Sequence, residues 1–183
     1  LGGQIDYVNL NTGISYNEDS YFGYSVSLSS DGTILAVGAK NFDVTSDQTY
    51  DEGAVFVYQY NGSSWIPLGG QIDYVNTNSI SYDEDSFFGI SVSLSSDGTI
   101  LAVGASGFDV DVSGTDRTIG TAFVYQYNGS SWVPLGGRID YVNMNSIPYN
   151  ITSEFGFSVS LSSDGTILAV GARNFDVTSD QSY

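Results

Sequence analysis

The stretch DVDVSGTD, residues 109–116, sets oxygen-bearing side chains at alternate positions, with a glycine where a loop must turn tightly. Asp109, Asp111, Ser113 and Asp116 would supply the hard oxygen ligands that calcium takes, as in the first half of an EF-hand loop. The bidentate glutamate that completes such a loop is missing, and the corresponding segments elsewhere in the chain read FDVTSDQ. An acidic loop facing water is the competing account. Asp43, Asp47, Asp51 and Glu52 form a weaker set in the equivalent loop.

Two further acidic stretches, Asn17-Glu18-Asp19 and Asp83-Glu84-Asp85, are replaced in a third place by residues 150–154, NITSE. Paired carboxylates serve glycosidases as acid and nucleophile, but adjacent acids on a loop ordinarily face solvent. The chain has no histidine and no cysteine. That removes the commonest general base near neutral pH, thiolate nucleophiles, disulfides and the usual zinc ligands. The expectation is a protein without enzymatic activity.

Asn61, Asn128 and Asn150 stand in Asn-x-Ser/Thr sequons and are the candidate glycosylation sites. Asn61 and Asn128 are also accounted for as turn residues, because a glycine follows each. Tyr7, Tyr74, Tyr141, Trp65 and Trp132 recur at fixed places and could stack on sugars, although packing between repeats explains them better.

Twenty-one acids face four bases, Lys40, Arg117, Arg138 and Arg173, for a formal charge of -17. Such a surface repels phosphate backbones and anionic lipid, so neither nucleic acid nor membrane is an expected partner. No apolar run approaches the roughly 20 residues of a membrane helix. The opening LGGQIDYVN carries neither an initiator Met nor a signal peptide, and reads as part of a processed or longer product.

The elements that must position these residues come in repeats. SVSLSSDGTILAVGA occurs three times without a change, at residues 25–39, 91–105 and 158–172. LGG opens at Leu1, Leu68 and Leu135, which divides the chain into units 1–67, 68–134 and a shortened 135–183. In SVSLS the apolar residues alternate with serine at the period of a strand, and Asp31-Gly32 signals a hairpin turn. TILAVGA and AVFVYQY are apolar on both faces, so each needs a neighbour on either side. The pattern predicts an all-β fold of tandem four-stranded antiparallel sheets, with strands near 23–29, 33–39, 54–60 and 64–72 in the first. Repeated sheets of this kind stack as the blades of a β-propeller; a β-sandwich is the alternative. The serine face would let the innermost strands approach one another, and Val37 is expected between two blades.

Phe22-Gly23 with Gly38-Ala39, Phe88-Gly89 with Gly104-Ala105, and Phe155-Gly156 with Gly171-Ala172 resemble the FG-GAP repeat of integrin-alpha-type propellers. The trailing NGSSWxPLGGxID is similar to the tandem-repeat variety found in secreted proteins. The resemblance implies an extracellular or cell-surface propeller used for adhesion or recognition. Many such blades carry an Asp-rich calcium loop between their first two strands, where this chain has only Ser-Ser-Asp-Gly. Lys40, Ser106 and Arg173 replace the proline of the pattern.

The third unit stops before anything equivalent to residues 54–60. An uncovered edge beside residues 166–172 would recruit a strand from elsewhere, and a head-to-tail contact that does not close builds a fibre. The expectation is therefore a non-enzymatic extracellular structural repeat protein that assembles with itself into a cell-surface or filamentous array. The alternative is an adhesin-type propeller that binds glycans or other surface proteins through its loops.

Overall fold

Ser29, Asp31 and Thr33 tie the first hairpin. The Asp31 carboxylate accepts the Ser29 hydroxyl at 2.7 Å and the Thr33 N–H at 2.9 Å, and Gly32 donates its N–H to the Ser29 carbonyl. The same bonds recur around Asp97 and Asp164. A short acidic side chain that holds both ends of a turn fixes the register of the strands it joins.

The computed structural model describes residues 2–5, 19–44, 51–73, 85–111, 116–140 and 153–174, and no helix occurs among them. Strands β1 (Phe22–Leu28), β2 (Ile34–Ala39), β3 (Ala54–Tyr60) and β4 (Trp65–Ile72) form an antiparallel sheet in chain order. These bounds lie within one residue of those the alternation predicts. A second four-stranded sheet holds β5 (Phe88–Leu94), β6 (Ile100–Ala105), β9 (Thr121–Tyr127) and β10 (Trp132–Pro134) in the order β10-β9-β6-β5. Between β6 and β9 a small hairpin pairs β7 (Asp109–Asp111) with β8 (Asp116–Thr118). Finally β11 (Phe155–Leu161) pairs with β12 (Leu168–Ala172). The protein is all-β, built on antiparallel four-stranded sheets.

Each Phe-Gly pair opens its strand with an irregularity: the ladder slips between Phe22 and Ser25, Phe88 and Ser91, and Phe155 and Ser158. The residue before each pair, Tyr21, Phe87 or Glu154, has positive φ of 51 to 53° and accepts a bond from the N–H three residues on. This bulge turns the glycine carbonyl outward, toward the preceding sheet. There the Gly89 carbonyl accepts the Ser25 hydroxyl, and the Gly156 carbonyl accepts the Ser91 hydroxyl, both at 2.8 Å. Leu94 N–H donates to Ser27 Oγ and Leu161 N–H to Ser93 Oγ, each at 2.9 Å. Ser30 N–H reaches the Ser96 carbonyl, and Ser96 N–H the Ser163 carbonyl. The serine face of one sheet thus meets the first strand of the next, and the contact is made twice.

Apolar burial follows the same order. Ile34, Ala36, Val55 and Val57 of the first sheet share a core with Val92, Leu94, Leu101, Val103, Phe123 and Tyr125 of the second. Complete burial of a Val or Leu side chain is worth about 1.5–3 kcal/mol, so this seam outweighs the few hydrogen bonds that align it. Val37 departs from expectation in one respect. It is buried, but among Ala39, Phe42, Phe56 and Tyr58 on the other face of its sheet, with Phe22 packed alongside. Its counterpart Val103 is the one that lies against another sheet.

Candidate functional site

The hairpins β1–β2, β5–β6 and β11–β12 are identical in sequence from Ser25, Ser91 and Ser158 onward, and the residues that flank them are not. Lys40, Ser106 and Arg173 each follow the glycine-alanine that ends β2, β6 or β12; Tyr24, Ile90 and Phe157 each follow a Phe-Gly. Because equivalent positions of neighbouring sheets meet, these variable positions gather at one end of the three hairpins. They line a concavity of about 290 Å³, which Phe87 and Glu154 also border.

Two of the four bases stand there. Lys40 Nζ lies 4.7 Å from the ring centre of Tyr21, 5.1 Å from Tyr24 and 5.0 Å from Phe87, and donates to Asn41 Oδ1 at 2.6 Å. Cation–π contacts of this kind hold the long side chain over the aromatic floor. Arg173 stacks 4.5 Å from the Phe157 ring centre and pairs with the Glu154 carboxylate at 2.7 Å; Asn174 donates to the same carboxylate. Burial, and then the neighbouring Asp85 charge, push the Asp51 carboxyl above its usual range, while Lys40 pulls it back. The site offers two fixed cations beside aromatic faces on an otherwise acidic molecule.

The expected calcium residues lie apart from it. Asp109 and Asp111 stand on β7 and Asp116 on β8, with Asp111 directly across from Asp116 and Asp109 across from Thr118. The Asp109 carboxylate accepts the Thr118 hydroxyl at 2.7 Å. Ser113 lies outside the described residues.

Asn61 and Asn128 are exposed in four-residue connections, and each side-chain oxygen accepts the N–H groups two and three residues on. Both are therefore turn residues, and the amide nitrogen that would carry a glycan takes no part in those bonds. Asn150 lies outside the described residues, as do Asn17, Glu18, Asp47, Asp83, Glu84, Tyr7, Tyr74 and Tyr141. Asp85 accepts the Asp51 N–H at 3.3 Å, across the two sheets. Glu52 is buried and accepts the Val44 N–H. Trp132 packs as a structural residue: it is buried, sits 5.4 Å from Tyr127 and donates its indole N–H to the Leu68 carbonyl of the first sheet.

Two features were not anticipated from the residues. Asp73 and Asp140, in the repeated Ile-Asp, are wholly buried, with Gln71 donating to the first and Arg138 pairing with the second at 2.9 Å. The change from Gln71 to Arg138 inside an otherwise constant LGGxID was the available signal. The cationic end was legible in the same way, as the positions where the repeats stop being identical. No family model matches the chain, and no curated protein matches it either.

Proposed function

We propose that this chain is a non-enzymatic structural repeat protein, whose sheets are propeller-type blades of the FG-GAP-like kind and which assembles with itself at a cell surface or in an extracellular filament. One observation carries the reading: the seam between the first and second sheets recurs between the second and third, bond for bond. A chain that spends its most invariant sequence on a seam that the next unit can repeat is organised for propagation. The extracellular placement rests on the resemblance and on the exposed sequons at Asn61 and Asn128. Negative-stain electron microscopy of the purified chain tests it. Filaments or rings are expected, and uniform single particles at all concentrations would refute it.

A second reading, an adhesin-type module that binds glycan or protein, is favoured by the cationic concavity. The repeats differ at the positions that line that concavity, and recognition surfaces sit on variable positions held by a constant scaffold. Glycan-array binding that is lost in Lys40→Ala and Arg173→Ala would favour it over assembly.

A further inference from the structure

The first and third sheets each present one face that the second sheet keeps covered, and the two faces are opposite halves of the same seam. Val26 and Leu28 are 62% and 55% exposed, whereas Val92 and Leu94, at the same places in an identical sequence, are 9% and 7% exposed. The difference comes entirely from the neighbour, since Val92 and Leu94 lie in the core shared with the first sheet. At the other end Ile167 is 69% exposed, against 7% for Ile34, whose side chain lies over Gly98 of the next sheet. Ser158, Ser160, Ala169 and Gly171 repeat the residues with which the first two sheets receive their successors, and in this chain they receive nothing among the described residues.

We infer that the open face of β1 takes the open face of β11 and β12 of a second copy of this chain, which deepens the assembly reading above and rests on it. The occupant is defined by continuity with a seam already made twice. The repeated contacts assign the new ones: the Ser158 hydroxyl donates to the second copy's Gly23 carbonyl, the second copy's Leu28 N–H donates to Ser160 Oγ, and Ile167 covers the second copy's Gly32. Among the described residues the two open faces differ in kind, so the contact is heterologous. It closes into a ring or runs on as a fibre, according to the rotation between units. With a formal charge of -17 on every copy, association should tighten as salt screens the repulsion.

The absence of cysteine makes cross-linking a clean test. Ser30 and Ser96 are joined through their backbones, N–H to carbonyl, at 2.9 Å, which makes them neighbours across the seam and the natural pair to cross-link. Ser30→Cys with Ser96→Cys in one chain is therefore the control, and it should close internally. Chains with Ser30→Cys mixed with chains with Ser163→Cys should oxidise to a covalent dimer, at least about ten times more than either alone. Val26→Asp with Leu28→Asp changes only exposed residues, so the fold should survive with an unchanged melt. Its association by sedimentation should weaken at least about tenfold. If the control closes and the parent assembles, yet the mixture gives no excess dimer and the aspartate variant assembles as the parent does, this contact is wrong and the assembly reading stands. A parent that stays monomeric at every concentration and salt overturns both. If the control fails to close, the aspartate variant alone decides in the same terms.

Discussion

The Ser25 hydroxyl donates to the Gly89 carbonyl oxygen over 2.8 Å, directly above Gly38 on the neighbouring strand. A Cβ built on Gly38 strikes that same carbonyl, and one on Gly104 strikes the Gly156 carbonyl. Backbone cannot swing aside as a side chain can, so Gly38→Ala and Gly104→Ala should each cost about 3 kcal/mol in urea unfolding. Gly171 meets only the side chain and backbone of Ser158 in its own hairpin, so Gly171→Ala should cost less than about 1 kcal/mol. Equal losses at all three positions would mean that the glycines serve the strands themselves and not the seam.

Val37 is buried against Phe56, with Phe42 and Tyr58 in the same cluster. Val37→Asp would place a charge there without a partner, at a cost of roughly 3 kcal/mol or more. For a chain of this length that is a fall in Tm of about 6 °C or more. A variant that melts within a degree or two of the parent would show that the cluster admits water.

Val26 and Val92 explain why the fold was largely legible and its surfaces were not. Alternation along SVSLS and the Asp-Gly turn are local, and they placed strands to within one residue. Exposure is not local: two valines in identical fifteen-residue stretches differ because only one has a sheet in front of it. The same limit misplaced Val37, whose two-faced strand was read correctly but whose neighbours come from its own sheet. Residues 109–116 carry two readings in the sequence, a calcium loop and an acidic loop facing water, and the short β7–β8 hairpin was not legible there because alternating Asp and Val suit a strand as well as a ligand set. The cationic concavity needed the register between sheets, which no single repeat contains.

The three turn aspartates set an acid limit. The Ser162 hydroxyl, and then the Thr166 N–H and hydroxyl, lower the Asp164 carboxyl from 3.8 to about 2. Ser29 and Thr33 lower Asp31 in the same way, and Ser95 and Thr99 lower Asp97. A depressed folded-state value means that the contribution is complete above the unfolded value and is lost as pH falls through the folded one. For Asp164 that window runs from 3.8 down to about 2. Asp51 works in the opposite sense, since its raised value weakens the fold as pH rises through it. Thermal melts of the parent should therefore fall modestly between pH 4 and 2, roughly the window these shifts define, because the three carboxylates face solvent. Replacing all three aspartates by asparagine should lower Tm at pH 7 and flatten that fall. Parallel curves would remove the turns as the cause.

Calcium is testable by mass action, because an ion that binds only the folded state raises Tm by an amount chelator reverses. The Asp109 carboxylate is already engaged by Thr118, and the sequence supplies no closing glutamate. The expected result is the same melt with and without chelator. A chelator-dependent fall that disappears in Asp109→Asn with Asp111→Asn would instead assign the ion to this hairpin and explain why Asp111 and Asp116 stand opposite each other.

The free side of β12 offers the last test. Strands β2 and β6 each take a third strand, β3 or β9, in the same register: Leu35 opposes Tyr58 and Val37 opposes Phe56, as Leu101 opposes Tyr125 and Val103 opposes Phe123. Among the described residues β12 pairs with β11 alone. Its sequence is that of β2 and β6, so it presents the same donors and acceptors to a strand of the β3 type. A peptide of residues 53–65, GAVFVYQYNGSSW, should therefore add to it by strand pairing, with its first tyrosine, that of Tyr58, opposite Leu168 and its phenylalanine opposite Val170. Bound peptide should slow amide exchange within Leu168–Ala172 and leave β1 and β5 unchanged. Where assemblies depend on this edge, it should also shorten them. Leu168→Pro removes a ladder donor and should abolish peptide binding, although it also strains the β11–β12 pair. A peptide with that first tyrosine and the phenylalanine exchanged for serine is the cleaner control, because it keeps the backbone and removes only the register-setting contacts. Exchange rates that do not move at about 1 mM peptide, a concentration at which even 4 kcal/mol of binding would be visible, would show that the edge is not a site for strand addition.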